Sequence, residues 1–198
     1  MVSEVKLPEL RWTGQYKLSN GTPGERVDEI APDSAGVYLW TVRVGEKFYP
    51  HYVGETQNLR TWLMHHRNEL LSGHYWIYCP ADFAEGRLRM VYNREMGREA
   101  FATHKDEAEA FAGLLSFFVL PFPPDPLFNT QRLRRRVELG LARAIGDHFR
   151  GLAEPNVWDQ DCARHHEKYQ RQSSEPATLA SFVVPEGLVG VSRGPLDV

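Results

Sequence analysis

The chain has 198 residues, 42% of them hydrophobic and 25% charged, with a formal net charge of −3. That is the size and composition of one ordinary globular domain with some decoration, and it supports a real core. No apolar run approaches the roughly 20 residues that span a bilayer, the first ten residues lack a secretory apolar stretch, and the charge is not the strongly basic balance of a dedicated nucleic-acid binder. A cytoplasmic protein with no membrane contact is expected. Cys79 and Cys162 lie far apart with no CxxC, which excludes a disulfide framework or a zinc ribbon and leaves two free thiols in a reducing compartment.

Residues 1–35 are polar and carry turn signals at Ser19-Asn20-Gly21, Thr22-Pro23-Gly24 and Ala31-Pro32-Asp33, so a loop-rich lead-in with at most short strands is expected. Residues 36–44, rich in β-branched and aromatic side chains, predict a strand. Gly45-Glu46 breaks it and residues 48–53 predict a second strand, so an antiparallel hairpin is the natural pairing. Asn58 predicts a helix N-cap ahead of Leu59, Trp62, Leu63, Leu70 and Leu71 at mostly helical spacing, with Gly73 as the stop. Residues 74–86 read as loop, 87–92 as a short strand and 95–113 as helix. Residues 114–122 form a continuous apolar run that predicts a buried strand, and Pro123-Pro124-Asp125-Pro126 is a rigid turn. Residues 129–149 hold the clearest helix, with Leu133, Val137, Leu141, Ala144 and Ile145 on one stripe. Beyond Gly151 the chain is irregular, with a terminal hairpin of 183–184 against 188–189 and frayed ends at 193–198 as the expectation. Arg132, Arg134, Arg135, Arg136, Arg143 and Arg150 concentrate positive charge on and just beyond the long helix.

Gly36-Val37-Tyr38 and Tyr52-Val53-Gly54, on strands predicted to pair, followed by Asn58-Leu59 and a helix carrying His66, resemble the GIY-YIG nuclease family. Either tripeptide alone is nearly uninformative; both in order, with the helix and a downstream helix bearing Glu138, are far more specific. The resemblance covers about residues 34–157, leaving 1–33 as an N-terminal extension and 158–198 as a C-terminal one. It implies an α/β fold with a small three-stranded antiparallel sheet flanked by helices. It also implies a metal-dependent endonuclease that cleaves the phosphodiester backbone of DNA, double-stranded in the usual case, with Mg2+ or Mn2+ as cofactor. Cutting both strands would favour a homodimer.

The chemistry of that family explains the residue types. A water must lose a proton beside the phosphate, and the charge of the pentavalent state must be neutralised. Carried over by position, Tyr38 is the general base or water positioner and Tyr52 lines the same face. Gly36 and Gly54 are the motif glycines, Gly54 letting the backbone turn beside the substrate. Asn58 follows in the motif, His66 faces the site, Glu138 is the single carboxylate that holds one metal ion, and Asn156 stands for a late supporting asparagine at longer spacing than usual. The plain alternatives stay open beside these roles: strand aromatics packing on a helix for Tyr38 and Tyr52, helix surface for His66, and an exposed i,i+4 partner of Arg134 for Glu138.

Two positions depart from the pattern. The arginine expected eight residues after Gly54 is Trp62, and the nearest arginine, Arg60, lies about 200° around the helix from it. Glu55 follows the second motif directly, where a carboxylate would repel phosphate. Three consequences are open. Arg134 replaces the missing clamp beside Glu138; or the domain only binds nucleic acid or protein, with Trp62 as a stacking surface; or Trp62 is buried and the site is a relic.

Overall fold

The computed structural model describes residues 9–17, 31–150, 157–158, 179–180, 182–184, 186–191 and 196–197. Strands are Leu10–Arg11 (β1), Thr13–Lys17 (β2), Gly36–Val44 (β3), Lys47–Thr56 (β4), Ile77–Tyr78 (β5), Met90–Tyr92 (β6), Leu115–Pro121 (β7), Leu179–Ala180 (β8), Phe182–Val183 (β9) and Leu196–Asp197 (β10). Helices are Leu59–Leu71 (α1), Pro80–Ala84 (α2), Gly97–Thr103 (α3), Lys105–Leu114 (α4) and Gln131–Phe149 (α5).

An antiparallel sheet in the order β2-β7-β3-β4 is the centre of this α/β fold. The three expected strands are present. A fourth, β2, joins them from the N-terminal extension, so the sheet draws on residues outside 34–157. β3 is buried on both faces because successive side chains of a strand point to opposite sides. Val37 and Leu39 face the core made by Leu133, Val137, Leu141 and Ile145 of α5. Tyr38, Trp40 and Val42 face the other core, made with Leu59, Leu63 and Leu70 of α1 and Phe111 of α4. The sheet is therefore a middle layer between α5 on one side and α1 with α4 on the other.

The hairpin turns at Gly45-Glu46, with Gly45 at φ +61°. The β3–β4 register slips between Trp40 and Thr41, so that Trp40 faces Tyr52 while Thr41 faces Pro50. The bulge tolerates Pro50, which has no N–H for a ladder and belongs on an edge strand. Asn58 caps α1 by accepting from the Thr61 N–H at 2.9 Å, and Gly73 at φ +77° ends it.

Four expectations are corrected. Residues 74–86 are not all loop: Ile77–Tyr78 pairs with Met90–Tyr92, and Pro80 opens α2, its fixed φ suiting a first helical turn. The helix expected over 95–113 is interrupted, with a 3-10 turn at Arg94–Met96 and a break at His104 between α3 and α4. No 183–184/188–189 hairpin forms. Instead β9 runs parallel to β1, and Leu188 bridges Phe48 on the edge strand β4, with Phe48 N–H donating to the Gly187 carbonyl at 2.8 Å. Leu196–Asp197, expected to fray, pairs with Leu179–Ala180. Edge strands hold unpaired backbone groups, and nearby chain satisfies them. Among the described residues no helix is long and apolar enough to cross a membrane.

Candidate active site

The two motif glycines have packing reasons. Tyr38 and Gly54 are directly opposed across the β3–β4 ladder, and the tyrosine ring fills the place of a side chain at Gly54: a Cβ there would fall on the Tyr38 hydroxyl and Cζ. A Cβ at Gly36 would meet the Leu120 carbonyl and, at 2.8 Å, Leu59 of α1. Both positions thus let the sheet, the tyrosine and the first helix close on one another. Tyr52, one diagonal step from Tyr38, stacks on it with ring centroids 6.2 Å apart.

Tyr38 is 2% exposed and its hydroxyl sits in a hydrogen-bond cluster built by α1. Trp62 Nε1–H donates to it at 2.8 Å, and His66 Nε2 lies 2.8 Å away. Positions 62 and 66 are i,i+4 and so share one helix face. The other imidazole nitrogen, His66 Nδ1, lies 2.6 Å from the Tyr75 hydroxyl. Burial pushes the Tyr38 phenol well above the usual tyrosine range; the neighbouring Tyr52 adds to this, the Trp62 hydrogen bond pulls back, and the charges of Glu138 and Tyr75 raise it further. His66, 4% exposed, is held down at about 3 by burial and then by His65, so its ring is neutral at ordinary pH. Tyr75 is pushed up to about 12 by burial and by the charge of Glu69.

Glu138 approaches from α5. Its carboxyl is pushed up to about 8, first by burial and next by the charge of Glu55, while Arg135 and a hydrogen bond from the Glu55 backbone pull it back. It therefore lies partly buried beside Glu55 of β4, the edge strand of the sheet. Tyr38 feels its charge there, although the bulk of α5 packs on the opposite face of the sheet. Glu55 is the hub of this edge. It accepts from Arg134 Nε at 3.2 Å, Arg135 Nε at 3.3 Å and Gln131 Nε2 at 3.1 Å. The carboxylate that looked repulsive to phosphate is thus neutralised from α5.

The structure brings together Tyr38, Tyr52, Gly54, His66 and Trp62, and sets Glu138 beside Glu55 on the adjacent strand. It does not present Arg134 as a phosphate clamp. That side chain is 3% exposed, and besides Glu55 it donates from Nη1 to the Asn129 carbonyl and Oδ1, the latter at 2.7 Å. Its nearest acid is Glu55, reached across the sheet edge, and not the i,i+4 Glu138. Arg60 points elsewhere, donating to the Ala31 carbonyl at 3.0 Å. Asn58 serves the helix cap and donates to Asp33. Asn156 lies outside the described residues. Trp62 is not buried: it is 37% exposed and lies 4.9 Å from the His65 ring, centroid to centroid.

Sequence reasoning missed Tyr75, Glu55 in its pairing role, and Trp62 as a donor to the tyrosine. Tyr75 lies in a segment with no periodicity to place it, and the partners of Glu55 are 76 to 80 residues away. No protein-family model, curated protein or solved structure matches this chain.

Proposed function

We propose that the protein is a metal-dependent endonuclease of GIY-YIG type that hydrolyses phosphodiester bonds of double-stranded DNA in the cytoplasm. The observation that carries this is a buried strand tyrosine whose hydroxyl lies 2.8 Å from a neutral histidine of α1, with a carboxylate of α5 beside Glu55 on the neighbouring strand β4. Hydrolysis requires a water to lose a proton as it attacks phosphorus and the bond to the leaving oxygen breaks. The Tyr38 oxygen accepts from Trp62 and retains a lone pair for that proton. Because burial holds its own proton on, Tyr38 acts by passing that proton on as it takes another, with His66 as the immediate neighbour.

Among the described residues no group of three or more His, Cys, Asp or Glu side chains stands together as a metal cage. Glu138 alone would hold a cation, with water and phosphate oxygens completing the shell, which suits Mg2+ or Mn2+. Burial and Glu55 now oppose the ionised form of Glu138, and a cation would reverse that balance, so the donor fits. When bound, the ion supplies charge neutralisation at the phosphate. Arg135, with a side chain 47% exposed and tied through Nε to Glu55, brings positive charge to the same edge.

A plasmid-nicking assay with Mg2+ or Mn2+ tests this. Cleavage by the wild type, abolished by Glu138→Ala and by Tyr38→Phe in folded protein, is the expected result; no cleavage with either metal sinks the proposal. A second reading, a catalytically impaired domain that binds nucleic acid or a protein, is favoured by one feature. Trp62 stands where the arginine belongs, with a partly exposed indole suited to stacking. Metal-independent binding that Glu138→Ala leaves unchanged, with nicking that appears only in Trp62→Arg, is its pattern.

A further inference from the structure

We propose that Tyr75 is a positioning residue of this site, and that Tyr38, His66 and Tyr75 form a one-way proton path from the reacting water to solvent. This rests on the nuclease reading for its use, but the order of donors in the path follows from the hydrogen-bond geometry around a neutral imidazole.

His66 has a hydroxyl against each ring nitrogen, Tyr38 at Nε2 and Tyr75 at Nδ1. The ring is neutral, so it carries a single N–H: one hydroxyl must donate to it and the other must accept from it. Trp62 decides which. Its indole nitrogen has only a proton to give, and it gives it to the Tyr38 oxygen. The Tyr38 proton then needs another acceptor, and the one the structure offers is His66 Nε2 at 2.8 Å. Were Nε2 protonated instead, three protons would crowd one buried oxygen and the Tyr38 hydroxyl would be left without an acceptor, which is costly in a buried site. The resting order is therefore Trp62 N–H to Tyr38 O, Tyr38 O–H to His66 Nε2, and His66 Nδ1–H to Tyr75 O. Tyr75 is only partly buried, whereas Tyr38 and His66 are buried, so it is the end of this chain nearer solvent.

In the reaction the water proton bonds to the Tyr38 oxygen as the Tyr38 O–H breaks and its proton bonds to His66 Nε2. The His66 Nδ1 proton passes to Tyr75, whose proton leaves to solvent. One proton enters and one leaves; the imidazole changes tautomer without becoming charged, which its burial would oppose. Tyr75 accepts the Nδ1 proton that Trp62 and Tyr38 leave on the ring, which favours the same tautomer, and provides the exit.

The test is nitrogen-15 NMR of the imidazole together with nicking kinetics. Wild-type His66 is expected to carry its proton on Nδ1 and to remain neutral near pH 6. Tyr75→Phe, which keeps the ring and removes the hydroxyl, is expected to move the proton toward Nε2. It should also lower kcat by about tenfold or more, with KM unchanged, since it removes one link of a proton transfer. A wild-type imidazole protonated on Nε2 overturns the proposal whatever the variant does, including a variant that fails to fold. So does a Tyr75→Phe enzyme with wild-type kcat. If the wild type itself never nicks, the nuclease reading fails and takes the exit role with it; a nicking enzyme indifferent to Tyr75 sinks only the proton path.

Discussion

Acid should unfold this protein partly through His66. Its imidazole, 4% exposed between two tyrosine hydroxyls, is held at about 3 against an ordinary 6.5. The folded-state value is lowered, so below pH 6.5 the unfolded chain takes up a proton that the folded chain refuses until about pH 3. The unfolded state then binds more protons, and stability falls as pH falls through that window, with nothing lost above it. Each pH unit inside the window costs about 1.36 kcal/mol, so at about pH 5 the loss is roughly 2 kcal/mol. Urea denaturation at about pH 7.5 and about pH 5 measures this, with His66→Gln as the reference. The variant lacks this titration, and the contributions of the other ionisable groups cancel in the comparison. The wild type is expected to lose roughly 2 kcal/mol more than the variant between the two conditions. Equal losses would refute the argument, because His66 would then accept a proton in place at its ordinary pKa.

Gly54→Ala places a methyl group on the Tyr38 hydroxyl and Cζ; it is expected to destabilise the fold by about 1–3 kcal/mol and to abolish nicking, read by chemical denaturation and the plasmid assay. A variant as stable as the wild type would show that Tyr38 does not rest against the Gly54 backbone. Glu55→Ala leaves the buried guanidinium of Arg134 without its carboxylate and is expected to cost about 3–5 kcal/mol in denaturation, with Glu138 titrating lower once its like-charged neighbour is gone. A near-neutral change would mean that Arg134 finds solvent when Glu55 is removed.

Local pattern carried the sequence reading a long way. The β-branched and aromatic run of residues 36–44, the Gly45 turn, the Asn58 cap and the stripe on residues 129–149 are short-range preferences of backbone and side chain, and they predicted β3, β4, α1 and α5 to within a few residues. Tyr38, Tyr52, His66 and Glu138 could be named because their spacing along the chain resembles that of a nuclease motif. What tertiary structure decided were pairings between distant residues. The choice of Thr13–Lys17 as a fourth strand depends on the exposed edge of β7. Arg134 looked like a free clamp from its helix position, but it is buried, with Nε engaged by Glu55 and Nη1 by Asn129. Trp62 looked like a missing arginine, yet its indole N–H reaches the tyrosine oxygen and orients the proton on it. Helical and strand periods are written in neighbouring residues; a hydrogen bond from residue 62 to residue 38, or from 66 to 75, is set by how three elements pack, and no local preference encodes it.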